Sequence, residues 1–351
     1  MNRVDETIGP LERVLSRRAA IRWGATAAAG IVLAASSAGG ATTETTDFFR
    51  VGTGGTSGTY YPIGSMIAGQ LTDHFGPACV EACPDRRMLA VAQTSNGSVS
   101  NMKELVARRL EAGLVQADIA YWGYRGEGVF ANRSPMRQLR AIGRLYPETL
   151  HVVARADAGI RSFEDLRGRR ISLDEEGSGT LIAARLVLQA HGLRESDFEP
   201  VYVKPELAMQ RMRDGELEAF FSVVGAPVRS ITALASEISI TLVPVDVRRQ
   251  ADIAARVPFF APVRIPAGLY PGTQTTPSLE VGALLLTRAD LDHELIHRVT
   301  SVLWSEETRR VLAAGHPRGR TIRRETALEG LTLPLHLGAE DFYRTAGLLS
   351  P

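Results

Sequence analysis

The chain has 351 residues, with 40 basic and 39 acidic side chains and a formal net charge of +1. The length suits two domains of ordinary size, and 44% apolar residues exclude a disordered chain. The near-neutral balance gives no support to a nucleic-acid binder, and two cysteines exclude a disulfide scaffold or a multi-cysteine zinc module.

Residues 1–41 read as an export signal of the twin-arginine type. Ser16-Arg17-Arg18-Ala19-Ala20-Ile21-Arg22 precede an uncharged, Ala- and Gly-rich stretch from Trp23 to Ala41. Paired arginines ahead of a weakly apolar run, with small residues at Ser36 to Ala41 for cleavage, make that signal. Gly24, Gly30, Gly39 and Gly40 weaken the run relative to a membrane span, which needs about 20 strongly apolar residues. A retained N-terminal anchor helix is the alternative. Without these residues, which hold five arginines and three acids, the balance is −1. A periplasmic protein is therefore expected. Cys79 and Cys83 fit a small disulfide loop in an oxidising compartment, with two free thiols as the alternative.

From Phe48 the pattern alternates strands and helices. Strands are expected at Phe48–Val51, Met88–Gln93, Leu114–Gln116, Leu139–Leu145, Leu150–Arg155, Arg170–Leu173, Val201–Val203, Ala219–Val224 and Ile238–Val243. Apolar residues at helical spacing predict helices over Pro62–Phe75, Val99–Glu111 and Thr180–His191. Ser162-Phe163-Glu164-Asp165 has the form of a capping box. This alternation implies βαβ units and mostly parallel sheets. About ten strands without a linker fit two α/β lobes that exchange strands. The proline-rich stretch from Pro258 to Pro277 suits a return crossing and a cleft-side loop.

Three strand-to-helix turns are rich in Gly, Ser and Thr: Gly52 to Pro62, Thr94 to Asn101 with Ser98 as the expected cap, and Gly177-Ser178-Gly179-Thr180. Glycines let a backbone approach a ligand, and free N–H groups at a helix start attract an anion. Ligands of open α/β sheets lie beyond the carboxyl ends of the strands. Turns from two lobes would therefore line one cleft. The first turn departs from a dinucleotide fingerprint, because its third glycine comes one residue late and the acid about 20 residues on could only be Glu81; it also lacks the Gly-Lys-Ser/Thr of a phosphate loop. Asp118 follows a strand and suits a turn cap or a catalytic acid. Asp174, Glu175 and Glu176 read as a solvated turn; facing the cleft, they would disfavour a strongly anionic ligand.

His293-Glu294-Leu295-Ile296-His297 is a literal H-E-x-x-H. On a helix it sets two imidazoles one turn apart with Glu294 as a base, the arrangement of a zinc peptidase. No third ligand follows in the sequence, and both histidines fall off the apolar stripe of Leu291, Leu295, Val299, Val302 and Leu303. An exposed helix face is the competing reading. No G-x-S-x-G occurs, and no catalytic residue or cofactor is expected.

The ordered set of segments resembles the TAXI-type solute-binding receptors of TRAP transporters. It comprises Val51 to Pro62, Gly97-Ser98-Val99 with Asn101, Leu114 to Tyr121, Leu139-Arg140-Ala141-Ile142, Leu145-Tyr146-Pro147-Glu148 with His151-Val152-Val153, Ile171-Ser172-Leu173, Gly177 to Thr180, Ala219-Phe220-Phe221, Ile265 to Gly272, and Leu335 to Tyr343. The likeness spans roughly 48–346. It implies an α/β, two-lobe type II periplasmic-binding-protein fold with an interlobe ligand cleft and crossing strands. Lobe I would take 48–148 plus 266–351, and lobe II 149–265. It further implies a monomer that captures a small carboxylate-bearing solute, an organic acid or amino acid, for a TRAP membrane permease. Carried over by position, the ligand contacts are Gly55, Thr56, Tyr60, Gln116, Ser178, Gly179, Thr180, Val224 and Gly225. Ala117 and the acids ahead of Gly177 depart from that family's pattern. A periplasmic sensor of the same solute is the alternative role.

Overall fold

The computed structural model describes residues 46–76 and 87–350. The expected export signal, the Cys79–Cys83 pair and Glu81 lie outside the described residues. Strand β1 (Thr46–Gly52) leads to helix α1 (Tyr60–Phe75), β2 (Arg87–Gln93) to α2 (Ser98–Val106), and β3 (Ala112–Gln116) to α3 (Ala117–Arg125). The long β4 (Leu139–Arg155) follows. Then β5 (Arg170–Ser172) leads to α4 (Gly179–Ala190), β6 (Glu199–Val201) to α5 (Pro205–Arg213), β7 (Ala219–Val224) to α6 (Arg229–Glu237), and β8 (Ile240–Leu242) to α7 (Val247–Arg256). β9 (Phe260–Ile265) and β10 (Thr276–Arg288) run back, and α8 (His293–Leu303), α9 (Glu306–Gly315) and α10 (Leu337–Thr345) complete the fold.

Among the described residues the ten strands form one sheet, ordered β2-β1-β3-β10-β4-β7-β5-β6, with β8 paired to β4 and β9 to β10. β1, β2 and β3 are mutually parallel, as are β5, β6 and β7. The antiparallel strands β4 and β10 join these two groups. β4 pairs with β10 from Leu139 to Thr149 and with β7 from Thr149 to Ala154. The two strands expected at 139–145 and 150–155 are therefore one. Pro147 breaks the apolar pattern in the sequence and has no N–H to donate. It is accommodated because the pairing with β10 shifts register nearby, between Ala283 and Leu284. The return crossing expected near Pro258–Pro277 is β9 and the start of β10.

Both faces of the sheet are buried, so strand residues alternate between cores rather than between core and water. On β10, Ala283 and Leu285 pack with α1, α8 and α10 residues such as Ile63, Ile296 and Tyr343, while Leu284 and Leu286 pack with Met102 and Ile119 on the other face. On β7, Phe221 and Val223 join that second core, and Phe220 joins a third with Met209 and Ile231.

Helix α2 stops at Val106, short of the expected Glu111. The Glu111 carboxylate accepts from the Arg50 backbone N–H at 2.8 Å and from its guanidinium at 2.7 and 2.9 Å. That pair draws the chain out of the helix and into the sheet. The segment from Ala117, which carries no strand, starts α3. Of the capping box expected at Ser162 only one arm forms: Asp165 accepts from the Ser162 N–H at 2.9 Å, but the Ser162 hydroxyl donates to the same carboxylate oxygen at 3.0 Å, and Phe163 is the N-cap of the short 3-10 turn at Glu164–Leu166.

Asn101 stitches the start of this architecture. Fully buried on α2, it donates to Thr53 O at 2.7 Å and Leu114 O at 2.8 Å, and it accepts from Ser95 Oγ at 2.7 Å. Asn101→Ala removes three buried hydrogen bonds, leaving Thr53 O only its bond from the Ser95 hydroxyl at 2.9 Å, and should lower the unfolding free energy by about 2–4 kcal/mol in urea titrations.

Candidate functional site

Five helices begin around a cavity of about 70 Å³. They are α1 at Tyr60, α2 at Ser98, α3 at its cap Gln116, α4 at Gly179 and α5 at Pro205. Parallel strands place these starts at their own carboxyl ends, so the sheet order alone brings the turns together. The first N–H groups of each helix lack an intrahelical acceptor and carry the positive end of its dipole.

Of the residues expected to touch a ligand, Gly55, Tyr60, Gln116, Ser178, Gly179, Thr180 and Val224 line this cavity. Thr56 and Gly225 do not. Thr56 is exposed, and its hydroxyl faces Glu206 Oε1 at 3.4 Å. Gly225 lies behind the wall, where its N–H donates to Thr59 Oγ at 3.1 Å and where a side chain would strike Arg318, Thr59 and Tyr146. The Ser178 hydroxyl caps α4 by accepting from the Leu181 N–H at 3.0 Å. Thr180 Oγ accepts from the Val223 N–H at 3.1 Å. The α4 turn therefore offers a solute its backbone N–H groups.

Ser98 does not cap its own helix. Gly97 is the N-cap of α2, and Ser98 Oγ accepts from the Gln116 N–H at 3.0 Å. Gly97 has φ +104°, a conformation that favours glycine, and it lies in ordinary contact with the Ser178 backbone, to whose Cα a Cβ would come within 3.6 Å. Gly179 similarly leaves room for the Gln116 amide, which a Cβ would approach to 2.5 Å.

Acidic groups stand at or near the same place; the sequence singled out Asp118 and the run from Asp174 to Glu176 but gave Glu148 no role. Glu148, at the centre of β4, is 2% exposed and accepts from the Tyr60 hydroxyl at 2.7 Å. Burial pushes its carboxyl up to about 8, against the opposing pull of Tyr60. Asp174, expected in a solvated turn, is buried in the cavity wall with φ +72° and is pushed up to about 7, again by burial. Glu175 lines the wall and pairs with Lys204 at 3.6 Å, whereas Glu176 is exposed. Asp118 is buried in the first turn of α3, where desolvation pushes it up to about 7. The helix starts partly offset the burial of these groups.

The two halves of the fold touch directly across the cavity mouth. Glu206, in the first turn of α5, accepts from the Ser57 N–H at 2.8 Å and sits beside Gly55. An internal carboxylate thus occupies the outer part of the glycine-rich turn. Thr59 Oγ bonds Gly225, Ser230 Oγ donates to Ser57 O at 3.0 Å, and the Ser100 N–H donates to Gly177 O at 3.0 Å.

The H-E-x-x-H segment begins α8. His293 is exposed, and His297 Nε2 lies 3.8 Å from Asp341 Oδ2 on α10. α10 docks against this turn so closely that a Cβ on Gly338 would overlap the His293 carbonyl. Among the described residues no three His, Cys, Asp or Glu side chains are grouped to hold a metal.

Two outcomes follow. In the folded chain Glu148 holds its proton from its ordinary 4.5 up to about 8, so the folded state binds more protons than the unfolded one across that window. Its contribution to stability is present below that window and is lost as pH rises through it. Glu148→Gln should therefore raise Tm by roughly 2–6 °C at pH 8 and change it little at pH 4.5. Glu206→Ala should loosen the cavity mouth, read as faster amide exchange at Ser57 with unchanged exchange in β10.

The sequence profile of the NMT1-like family matches residues 51–347. Among solved structures the chain is similar to PhnD1 from Prochlorococcus marinus (MIT 9301) in complex with methylphosphonate, with 10% identity, a TM-score of 0.52, and coverage of 86% of this chain and 99% of that one. A structure from Bordetella bronchiseptica RB50 aligns at 14% identity and a TM-score of 0.51, covering 86% and 82%. The periplasmic aliphatic sulphonate binding protein SsuA from Escherichia coli aligns more loosely, with 14% identity, a TM-score of 0.42, and 77% and 78% covered. At these identities the first two likenesses concern the fold alone, a two-lobed α/β architecture. With the profile running through nearly every element from β1 to α10, the chain belongs to the NMT1-like family.

Proposed function

We propose that this chain is a periplasmic solute-binding receptor that encloses a small carboxylate-bearing metabolite between two lobes and delivers it to a TRAP-type membrane permease. The observation that carries the reading is the convergence of helix starts from both halves of the fold on one cavity. Free amides there hold a carboxylate without a buried arginine. Family membership and fold support a binding role, and PhnD1, of like fold, is seen with an oxyanion, methylphosphonate. The ordered likeness of 48–346 to TAXI receptors supports the permease partner and a monomeric receptor without cofactor or catalytic group. The division into 48–148 plus 266–351 and 149–265 is supported by Thr149, where β4 changes partner from β10 to β7.

In this reading Tyr60 and Gln116 orient the solute, and the Gly179 and Thr180 amides take its carboxylate. A thermal-shift screen of the purified protein against small carboxylates and amino acids tests it. A ligand at a hundred times its Kd adds about 2.7 kcal/mol of stability, or several degrees of Tm. Tyr60→Phe should weaken binding about tenfold, since it removes a buried hydroxyl bonded to Glu148. Gly179→Val should abolish the shift while circular dichroism stays native, because its side chain displaces the Gln116 amide. Thr56→Ala should leave affinity within twofold. A screen with no shift at all defeats the reading.

A further inference from the structure

We infer that the solute carries a cationic nitrogen as well as its anionic group, and that Glu148 and Asp174 are the residues that select it. The inference rests on the receptor reading above and narrows its ligand to a small zwitterion.

The wall of the cavity mixes hydrogen-bond donors and acceptors. Its donors are the backbone N–H groups at the helix starts and hydroxyls such as those of Tyr60, Ser178 and Thr180. The same wall holds acceptors: the buried carboxyls of Glu148 and Asp174, and the side-chain oxygen of Gln116. Gln116 is 3% exposed, and its Oε1 has no hydrogen-bond partner among the described residues. Its amide lies against the α-carbon of Gly179, inside the wall. An unmet buried acceptor costs about 1–3 kcal/mol, so a solute that brings a donor to this point gains over one that does not.

A simple carboxylate meets the amides but supplies nothing to Gln116, and it lies beside two acids. An ammonium has three N–H donors and no acceptor, which matches three acceptors. The cation in the wall itself, Lys204, is already paired with Glu175 at 3.6 Å and is nearly half exposed, so it does not neutralise Glu148 or Asp174. Arg318 stands behind the wall against Gly225, where its charge offsets a small part of the burial of Glu148 and leaves that carboxyl still raised. The two acids also hold their protons more tightly than free carboxyls do, as expected of acids whose countercharge arrives with a ligand. Tyr60 fixes one oxygen of Glu148, and the Glu175 N–H fixes one oxygen of Asp174 at 2.8 Å, so both carboxyls are held in place before a ligand enters.

Matched pairs that differ only in the amine test this on the full chain: L-alanine and propionate, 4-aminobutyrate and butyrate, L-aspartate and succinate. Affinities come from calorimetry at pH 8.5, above the range in which Glu148 and Asp174 keep their protons, preceded by thermal shift. At least one amino member should bind tenfold or more tightly than its desamino partner. That ratio should collapse toward one in Glu148→Gln and in Asp174→Asn, both of which keep the shape of the wall. Desamino acids that bind as well as or better than their partners overturn the inference and leave the receptor reading standing. An amine preference that survives both substitutions overturns the assignment to Glu148 and Asp174. If no member of any pair binds, the inference and the small-carboxylate reading fall together.

Discussion

Unmet N–H groups at helix starts have to be satisfied, and here five sets of them face the same few side chains around Glu148. Carboxyls are costly to bury, yet Glu148, Asp174 and Asp118 are all buried. The positive ends of α1 to α5 are the counterpart that makes this burial tolerable. Moving any one turn away would remove part of that field and leave the acids less compensated. The arrangement follows from parallel strand–helix units, because each such unit delivers a helix start to the same edge of its sheet.

The second constraint is mechanical. The antiparallel pair β10 and β4 links the two parallel groups, β10 bonding β3 of one and β4 bonding β7 of the other, so the halves of the molecule share a continuous sheet as well as side-chain contacts. Glu148 sits where β4 changes partner, one residue before Thr149. A residue at that junction senses both halves at once. Its bond to Tyr60 on α1 ties the junction to the glycine-rich turn, which makes the centre of the sheet a part of the cavity wall rather than a scaffold beneath it.

Local rhythm made much of this readable. The strand–turn–helix units at β1–α1 and β5–α4, the cap at Ser178 and the turn at Ser162 depend on neighbours in sequence, and they appear where periodicity and capping chemistry place them. Long-range contacts were not readable. The end of α2 is set by a pair between Arg50 and Glu111, 61 residues apart. The partner of Thr56 is Glu206, 150 residues on. Asp174 looks like a surface residue in its acidic run, and only the fold turns it inward; the acids ahead of Gly177 were the one hint. Ser98 carries every mark of a cap and instead bonds the next helix turn through Gln116.

In the proposed receptor reading, Glu206 bears on how the molecule loads. Bonds from Ser57, Thr59 and Ser230 hold the halves together without any contribution from a solute. In that reading entry breaks those bonds, and the apparent dissociation constant is the intrinsic one divided by the fraction of molecules standing open. With one molecule in ten open, binding is about tenfold weaker than the cavity alone would give. Affinity and selectivity are thereby set by different residues: the mouth fixes how tightly any solute is held, and the interior fixes which one.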